Sequence, residues 1–328
     1  MNKSRRLKDI AFFGVILLLV IVALYSGLQI LESTTFNNGQ NTGESVASKT
    51  ITRDGIDYFP RQDITVMMVL GIDQEGPVVA TDSHKNHGAA DVVMLAIFDE
   101  TNQVYNVLQL NRDTMLEMPV LGIGGRQAGT YYGQLALSHT YGSGLADSCE
   151  NTHKAISDFL YGITIDHYVS MNMDAIAILN DAVGGVTVTV TEDFSAVDDT
   201  IPVGEVTLHG QQALNFVRLR KGVGDQLNLS RMNRQREYMD SFVTAFRDAQ
   251  DSSTEFVIST YDAVSPYIVT DCSATVFSSM MERYGDYEMG EIVSPEGENV
   301  RGEEYYEFYV DEAKLDELIL RLFYAPKE

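Results

Sequence analysis

Residues Ile10 to Leu31 form a 22-residue apolar run interrupted, among clearly polar types, only by Ser26 and Gln29. A bilayer core takes about 20 apolar helical residues, so this run is long enough to span one. Lys3, Arg5, Arg6 and Lys8 precede it, and basic flanks stay on the cytoplasmic side. A cleaved signal peptide would share the basic flank, but its apolar core runs to about 7–15 residues. No small-x-small cleavage site follows Leu31 cleanly. The expectation is a retained single-pass anchor in the cell membrane. Residues 1–9 form a cytoplasmic tail and 10–31 the transmembrane helix. Everything that folds beyond it then folds outside the cell.

Residues 32–56 hold many Thr, Asn, Gly and Ser and read as an extracellular linker. Residues 57–328 remain for the ectodomain, enough chain for one or two domains. The full chain of 328 residues carries 23 Lys plus Arg against 47 Asp plus Glu, a formal charge of −24. Such a chain lacks the general electrostatic footprint of a nucleic-acid binder, and none is expected as a partner. Two cysteines, Cys149 and Cys272, are too few for a disulfide scaffold or a cysteine zinc site. In an oxidising exterior they could pair, or they could be buried free thiols; the sequence leaves both open.

Along the ectodomain, apolar β-branched runs alternate with helical patterns. Ile64 to Ile72, Val92 to Phe98 and Val104 to Leu110 read as buried strands, the last two joined by the turn Asp99-Glu-Thr-Asn102. Ala136–Ala146 and Glu150–Tyr161 read as helices, Tyr168-Val-Ser170 as a short strand. Met173–Val183 reads as an apolar helix stopped by Gly184-Gly185, and Val186–Val190 as a strand. Gln211–Leu219 follows as a helix, then a longer one from Asn228 to about Gln250 with Ser230 as N-cap. Helix signals near 274–284, a strand near 305–310 and a last helix at 311–323 complete the chain. The pattern predicts an α/β (α+β) fold: a central mixed β-sheet flanked by helices.

A charge anomaly marks where chemistry gathers. Residues 218–236 hold Arg218, Arg220, Lys221, Arg231, Arg234 and Arg236, with Asp225 the one acid among them. A basic cluster in so acidic a chain points to an anion, and the planar guanidinium fork suits a phosphate. Arg231 and Arg234 are three apart on a helix and so are expected to share a face. The rival reading is a solvated helix face paired with acids elsewhere. Arg112-Asp113-Thr114 follows directly on a strand, where ligands of α/β proteins gather. Asp73 follows another strand end and Asp91 begins the next strand. Two such carboxylates suit Mg²⁺, although a lone Asp at a strand end is more often a turn residue. His84 and His87, in the loop from Pro77 to Gly88, read as solvated. His139 is as easily a structural hydrogen-bonding group as a chemical one.

These residues carry a resemblance. Val69-Leu-Gly-Ile-Asp73, Asp91-Val-Val-Met94, Arg112-Asp-Thr114, Ser138-His-Thr-Tyr-Gly142 and Asp166-His-Tyr-Val169 form its first half. Val183-Gly-Gly-Val186, Leu208-His-Gly-Gln-Gln-Ala-Leu214, Arg218-Leu-Arg220 and Arg231-Met-Asn-Arg-Gln235 form its second. Their order and spacing resemble the LytR–CpsA–Psr family of cell-wall glycopolymer ligases, most strongly over residues 63–250. The resemblance implies a Mg²⁺-dependent phosphotransferase at the outer membrane face. It would move a glycan with its proximal phosphate from a polyprenyl-pyrophosphate carrier to a peptidoglycan hydroxyl. By matching positions it implies that Arg112, Arg218, Arg220, Arg231, Arg234 and Gln235 grip the pyrophosphate, with Arg112, Arg218 and Arg220 catalytic. It further implies that Asp73 and Asp91 hold Mg²⁺. The polyprenyl tail needs an apolar slot, placed by this reading between the sheet and the Met173–Val183 helix.

The sequence departs from the family pattern in places. Ala89-Ala90 stands before Asp91, Leu110-Asn111 before Arg112, Ala136 where a Lys is common, and Asn228 where an Asp is common. Asp73 and Asp91 also lie wider apart than usual, with Asp82 in the loop between them as a further carboxylate. The thinned charge keeps two other functions in view: a non-catalytic polyprenyl-pyrophosphate-binding regulator, and a lipid-pyrophosphate hydrolase using the same site.

Overall fold

A computed structural model of the chain describes residues 50–326, apart from positions 225–227, 253–255, 274–275, 277–278, 281–282, 286 and 304. The expected transmembrane segment 10–31 and most of the linker lie outside these residues. Among the described residues no helix is long and apolar enough to cross a membrane.

The chain enters through β1 (Ile51–Arg53) and β2 (Ile56–Pro60), an antiparallel pair inside and just beyond the stretch expected as linker. The core follows as β3 (Ile64–Ile72), β4 (Ala90–Asp99) and β5 (Val104–Leu110), paired antiparallel in sequence order. The turn after Asp99 joins β4 to β5 as expected: Asp99 accepts from the Asn102 backbone N–H at 2.9 Å. β6 (Met115–Leu121) and β7 (Gln127–Gln134) form a separate hairpin. A 3-10 turn, Leu135–Thr140, leads to α1 (Ala146–Phe159), then β8 (His167–Asn172), α2 (Asp174–Ala182) and β9 (Val186–Val190). β10 (Gly204–Leu208) returns antiparallel to β9, and α3 (Gln211–Arg218) and α4 (Asn228–Ser252) follow. The chain ends through α5 (Phe256–Val264), β11 (Ile268–Thr270), β12 (Glu288–Val293), β13 (Gly297–Arg301), β14 (Tyr306–Val310), α6 (Glu312–Phe323) and β15 (Tyr324–Pro326).

The main sheet has six strands in the order β11-β8-β3-β4-β5-β12. β3 pairs parallel with β8, and β12 parallel with β5; the other ladders are antiparallel, so the sheet is mixed as the sequence predicts. Side chains alternate across a strand, and both faces of β3 and β4 are covered. Met67, Met94, Ala96 and Phe98 pack beneath α2, α3 and α4 with Leu179, Phe216 and Phe242. Val66, Met68, Val93 and Leu95 pack on the other face against α1 and α6 with Ile156, Ile319 and Leu322. That double burial is why these strands read as continuous apolar runs rather than alternating ones.

Several local expectations shift. The stretch Ala136–Ala146 is not one helix: the 3-10 turn stops at Thr140, and α1 begins at Ala146, ahead of the expected Glu150. Gly142 and Gly144 hold φ of 123° and 88°, which no helix passes through. Asp147 then accepts from the Ser143 N–H (2.7 Å) and hydroxyl (2.7 Å), fixing the helix entry. Ser230 is not a cap: α4 already runs from Asn228, and the Ser230 hydroxyl donates to Glu192 at 2.8 Å. Cys149 and Cys272 are free buried thiols, not a disulfide. The Cys149 thiol donates to Ser170 Oγ at 3.4 Å, and burial pushes it up to about 12. The helix expected at 274–284 falls largely on positions outside the described residues.

Candidate functional site

Topology carries the site residues to one end of the sheet. β3 runs out at Ile72, so Asp73 stands at its carboxyl end. β4 runs the opposite way, with Ala90 paired to Ile72, which sets Asp91 beside that end. β5 reverses again, pairing Leu110 to Val93, and Arg112 and Asp113 follow directly. From the helical layer, α3 ends at Arg218, and α4 brings Arg231 and Gln235 from its first two turns.

The side chains meet there in ion pairs built on Asp73, Asp91 and Asp113, the last two linked through Arg112. Arg218 Nη2 donates to Asp73 Oδ1 at 2.9 Å. Asp91 receives Arg112 Nη1 on one oxygen and Arg231 Nη1 (2.9 Å) on the other. Asp113, only 1% exposed, receives Arg220 Nη1 at 3.0 Å and lies 3.5 Å from Arg112 Nε. Arg112 therefore ties two carboxylates together. Arg218 also reaches the exposed Glu75 at 3.4 Å, so four guanidiniums are concentrated at this end of a chain of formal charge −24, each held by a carboxylate. Burial lowers Arg112 to about 10, helped by repulsion from Arg231 and opposed by Asp113. Arg231 is likewise lowered to about 10 by burial, then by repulsion from Arg220, against the pull of Asp113 and Asp73. Both remain cationic near neutral pH, crowded and partly dehydrated, which is the condition under which an anion is most welcome.

Arg234 stands apart from this group. Its guanidinium pairs with Glu192 at 2.8 Å and donates to the carbonyls of Phe216 and Leu219 at the end of α3. It also lies 5.2 Å from the Phe194 ring centroid and 5.9 Å from that of Phe216. The shared helix face expected for Arg231 and Arg234 does not give them a shared target. One turns to the strand ends of the sheet, and the other satisfies the last carbonyls of a helix. Arg236 is occupied too, donating to Gln109 and Ser294, each at 2.6 Å. Gln235 keeps its place near the cluster: it donates to the Val217 carbonyl at 3.1 Å and is 5% exposed.

Directly behind the arginines is apolar space. A cavity of about 110 Å³ lies between β3, β4 and β8 on one side and α2 and α4 on the other. Val69, Met94, Leu179, Tyr238, Met239 and Phe242 are among its walls. The expected gap between the sheet and the apolar helix is therefore present, now with α2 at Asp174–Ala182. Gly71 is part of its floor; a Cβ there would stand 3.0 Å from the Val92 Cβ, so a side chain would crowd the strand pair. A smaller space of about 20 Å³ adjoins it and is walled by Asp91, Arg218 and Arg231. Gly71, Val92, Met171, Ile176, Val217 and Gln235 line both, so apolar and cationic compartments share walls.

The carboxylates fit Mg²⁺ in kind, since both offer hard oxygen donors. Asp73, 38% exposed and engaged by Arg218 through one oxygen, is the more open. Asp91, 7% exposed, has each oxygen covered by a guanidinium, so Arg112 and Arg231 must turn away before it can ligate. Asp82, His84 and His87 are exposed loop residues. His139 is a core group: its Nδ1 lies 2.8 Å from the Gly88 carbonyl, and burial lowers its pKa. The sequence alone does not single out Asp113 or its support, the Gln134 amide donating at 2.9 Å. The signal was there in Arg112-Asp113-Thr114, but only the fold shows this acid as the counter-ion of Arg220.

The molecule is thus an α/β protein with a guanidinium pocket at its strand ends, set over an apolar cavity. Its sequence matches the LytR_cpsA_psr family over residues 29–322, and the chain belongs to that family. The match is longer than the motif-bearing stretch 63–250. The polyisoprenyl-teichoic acid–peptidoglycan teichoic acid transferase TagU of Enterococcus faecalis is 27% identical over 289 residues, 88% of this chain and 85% of that protein. Among solved structures, protein gbs0355 from Streptococcus agalactiae superposes with a TM-score of 0.64 at 19% identity, covering 79% of this chain and 86% of that one. "TagT bound to LI-WTA" superposes with a TM-score of 0.57 at 23% identity, covering 80% and 90%. These two structural likenesses establish the mixed α+β fold.

Proposed function

We propose that this chain is a membrane-anchored phosphotransferase that moves a glycopolymer from a polyprenyl-pyrophosphate carrier to a peptidoglycan hydroxyl. The observation that carries the reading is the shared wall between the apolar cavity and the pocket of Arg218 and Arg231. A molecule with an isoprenoid tail and a pyrophosphate head needs both compartments, in contact and in that order. The name of the Enterococcus faecalis relative supports the same substrates and the same transfer.

In this reading the tail lies between the sheet and α2, and the pyrophosphate meets Arg112, Arg218, Arg220 and Arg231. Their present carboxylate partners hold the guanidiniums in place until phosphate oxygens take over the same forked contacts. The acceptor hydroxyl oxygen bonds to the phosphorus nearest the glycan. The bond from that phosphorus to the bridging oxygen breaks, and its electron pair leaves with polyprenyl phosphate. The hydroxyl proton passes to solvent. Phosphoryl transfer gains most from positioning and from charge stabilisation, which four preoriented guanidiniums supply. Mg²⁺, when bound, supplies further neutralisation of the phosphate charge, and Asp73 and Asp91 are the residues that would hold it. The membrane anchor keeps the pocket at the outer face, where lipid carrier and wall meet.

The test is transfer by the purified full chain in detergent with lipid-linked glycan, peptidoglycan and Mg²⁺. Arg112→Ala and Arg220→Ala are expected to lose at least a hundredfold in rate, in the range seen for removing one oxyanion donor (~10²–10³). If both variants transfer normally, the assignment fails. Retention of lipid without release of polyprenyl phosphate would favour the binding regulator, and glycan phosphate released without acceptor would favour the hydrolase.

A further inference from the structure

A second concave surface lies on the far side of Asp113. The hairpin β6–β7 forms one wall, β14 and the start of α6 the other, and the end of α1 the floor, enclosing about 710 Å³. That is within the ~300–1,000 Å³ usual for ligand sites. Three tyrosines line it and stay open to water: Tyr132 at 56%, Tyr161 at 42% and Tyr309 at 38% exposure. Tyr161 sits at φ 65°, a left-handed conformation usually left to glycine, so a large ring is kept there against a backbone preference. Glu117 stands directly across the hairpin from Tyr132, and Glu312 lines the same surface, as does Asp158, whose carboxylate is held by Lys154.

We infer that this groove binds the uncharged glycan strand that accepts the transferred group; the inference rests on the transferase reading above. Tyrosine rings present a negative π-face to the weakly positive C–H face of a pyranose and a hydroxyl at the rim. Carboxylates accept hydrogen bonds from sugar hydroxyls. Glu117 and Glu312 repel a phosphate-rich polymer, so the groove selects the neutral acceptor over the anionic donor. Its position agrees. Met115, three residues beyond Arg112, begins β6 and lines the groove. Both walls are pinned to Asp113, the counter-ion of Arg220. The Gln134 amide donates to its carboxylate at 2.9 Å and to the Tyr306 carbonyl at 2.8 Å, and the Phe308 N–H donates to the Asp113 carbonyl at 2.9 Å. The groove and the arginine pocket therefore share Asp113 as a common anchor.

The experiment is calorimetric titration of the full chain in detergent micelles with the hexamer of β-1,4-linked N-acetylglucosamine, and separately with a polyprenyl pyrophosphate. Tyr132→Ala and Tyr309→Ala are expected to weaken hexamer binding by roughly five- to tenfold each, as for loss of one aromatic contact. Tyr132→Phe is expected to keep it. Inorganic polyphosphate is expected not to displace the hexamer. Hexamer binding that is absent, indifferent to both Ala variants, or displaced by polyphosphate overturns the groove. Lipid binding together with hexamer binding that is absent or indifferent to the tyrosines leaves the transferase reading standing alone. Tyrosine-dependent hexamer binding without lipid binding upholds the groove while that reading fails.

Discussion

Arg231 and Asp91 lie 140 residues apart in the chain and 2.9 Å apart in the fold, both almost buried. Asp91 holds Arg112 on its other oxygen, so one carboxylate compensates two cations at the end of the sheet. Removing its charge leaves two buried guanidiniums repelling each other. Asp91→Asn is expected to destabilise the fold by about 3 kcal/mol, the scale for breaking a buried pair from one side. Urea denaturation of the variant against the parent checks this. A midpoint that does not move would show that the arginines find other partners.

Arg218 and Arg234 should separate cleanly in their effects. Arg218 is one-third exposed and pairs with the half-open Asp73, so Arg218→Ala should change stability by less than about 1 kcal/mol while impairing transfer. Arg234 is 5% exposed, holds Glu192 and caps α3, so Arg234→Ala should lower stability by about 3 kcal/mol. Thermal unfolding and transfer rates measured on both variants test the contrast. An Arg234 variant as stable as the parent but inactive would return that residue to the phosphate site.

Ligand binding should respond to pH in a defined window. Arg112 and Arg231 are each lowered to about 10 in the fold, against 12.5 for an unperturbed guanidinium. The unfolded chain therefore holds more protons than the native one between those values, and these groups add stability as pH rises through that window. Below it, keeping both charged costs stability, which a bound anion restores. Pyrophosphate affinity is expected to stay level from pH 7 to 9 and to fall above about 10 as the two arginines deprotonate. Binding that still holds its neutral-pH strength at pH 11 would mean other groups carry it.

A tail seated in the apolar cavity, as proposed, is expected to bind according to its length. Ile176 lines both compartments, so Ile176→Phe narrows the passage between them. The variant is expected to bind a long polyprenyl pyrophosphate roughly tenfold more weakly while holding a short-chain analogue nearly as well, since the loss comes from apolar contact. Equal losses for both lengths would place the tail elsewhere.

The parts of this fold open to sequence reading are those with a strong local cause. β3, β4 and β5 are buried on both faces and read as unbroken apolar runs. The arginine cluster shows as a local charge reversal in an acidic chain. The hairpin β6–β7 escapes because Gln127–Gln134 carries Gly and polar residues and is largely exposed; its place is set by Gln134 on Asp113 and by its neighbours, not by its own pattern. Arg234 escapes for a related reason. Helical spacing says which residues share a face, but not that the carbonyl end of α3 lies under one of them. The free state of Cys149 and Cys272 depends on where the fold sets α1 against the residues after β11, which two cysteines in a sequence cannot say.

The central claim is that one amphiphile fills both compartments, and it is tested most directly by a structure of the protein bound to a polyprenyl pyrophosphate. The phosphates are expected within hydrogen-bonding distance of Arg112, Arg218, Arg220 and Arg231, with the isoprenoid chain between β3, β4 and α2. A lipid bound on the outer surface, with those arginines still held by Asp73, Asp91 and Asp113, would contradict it.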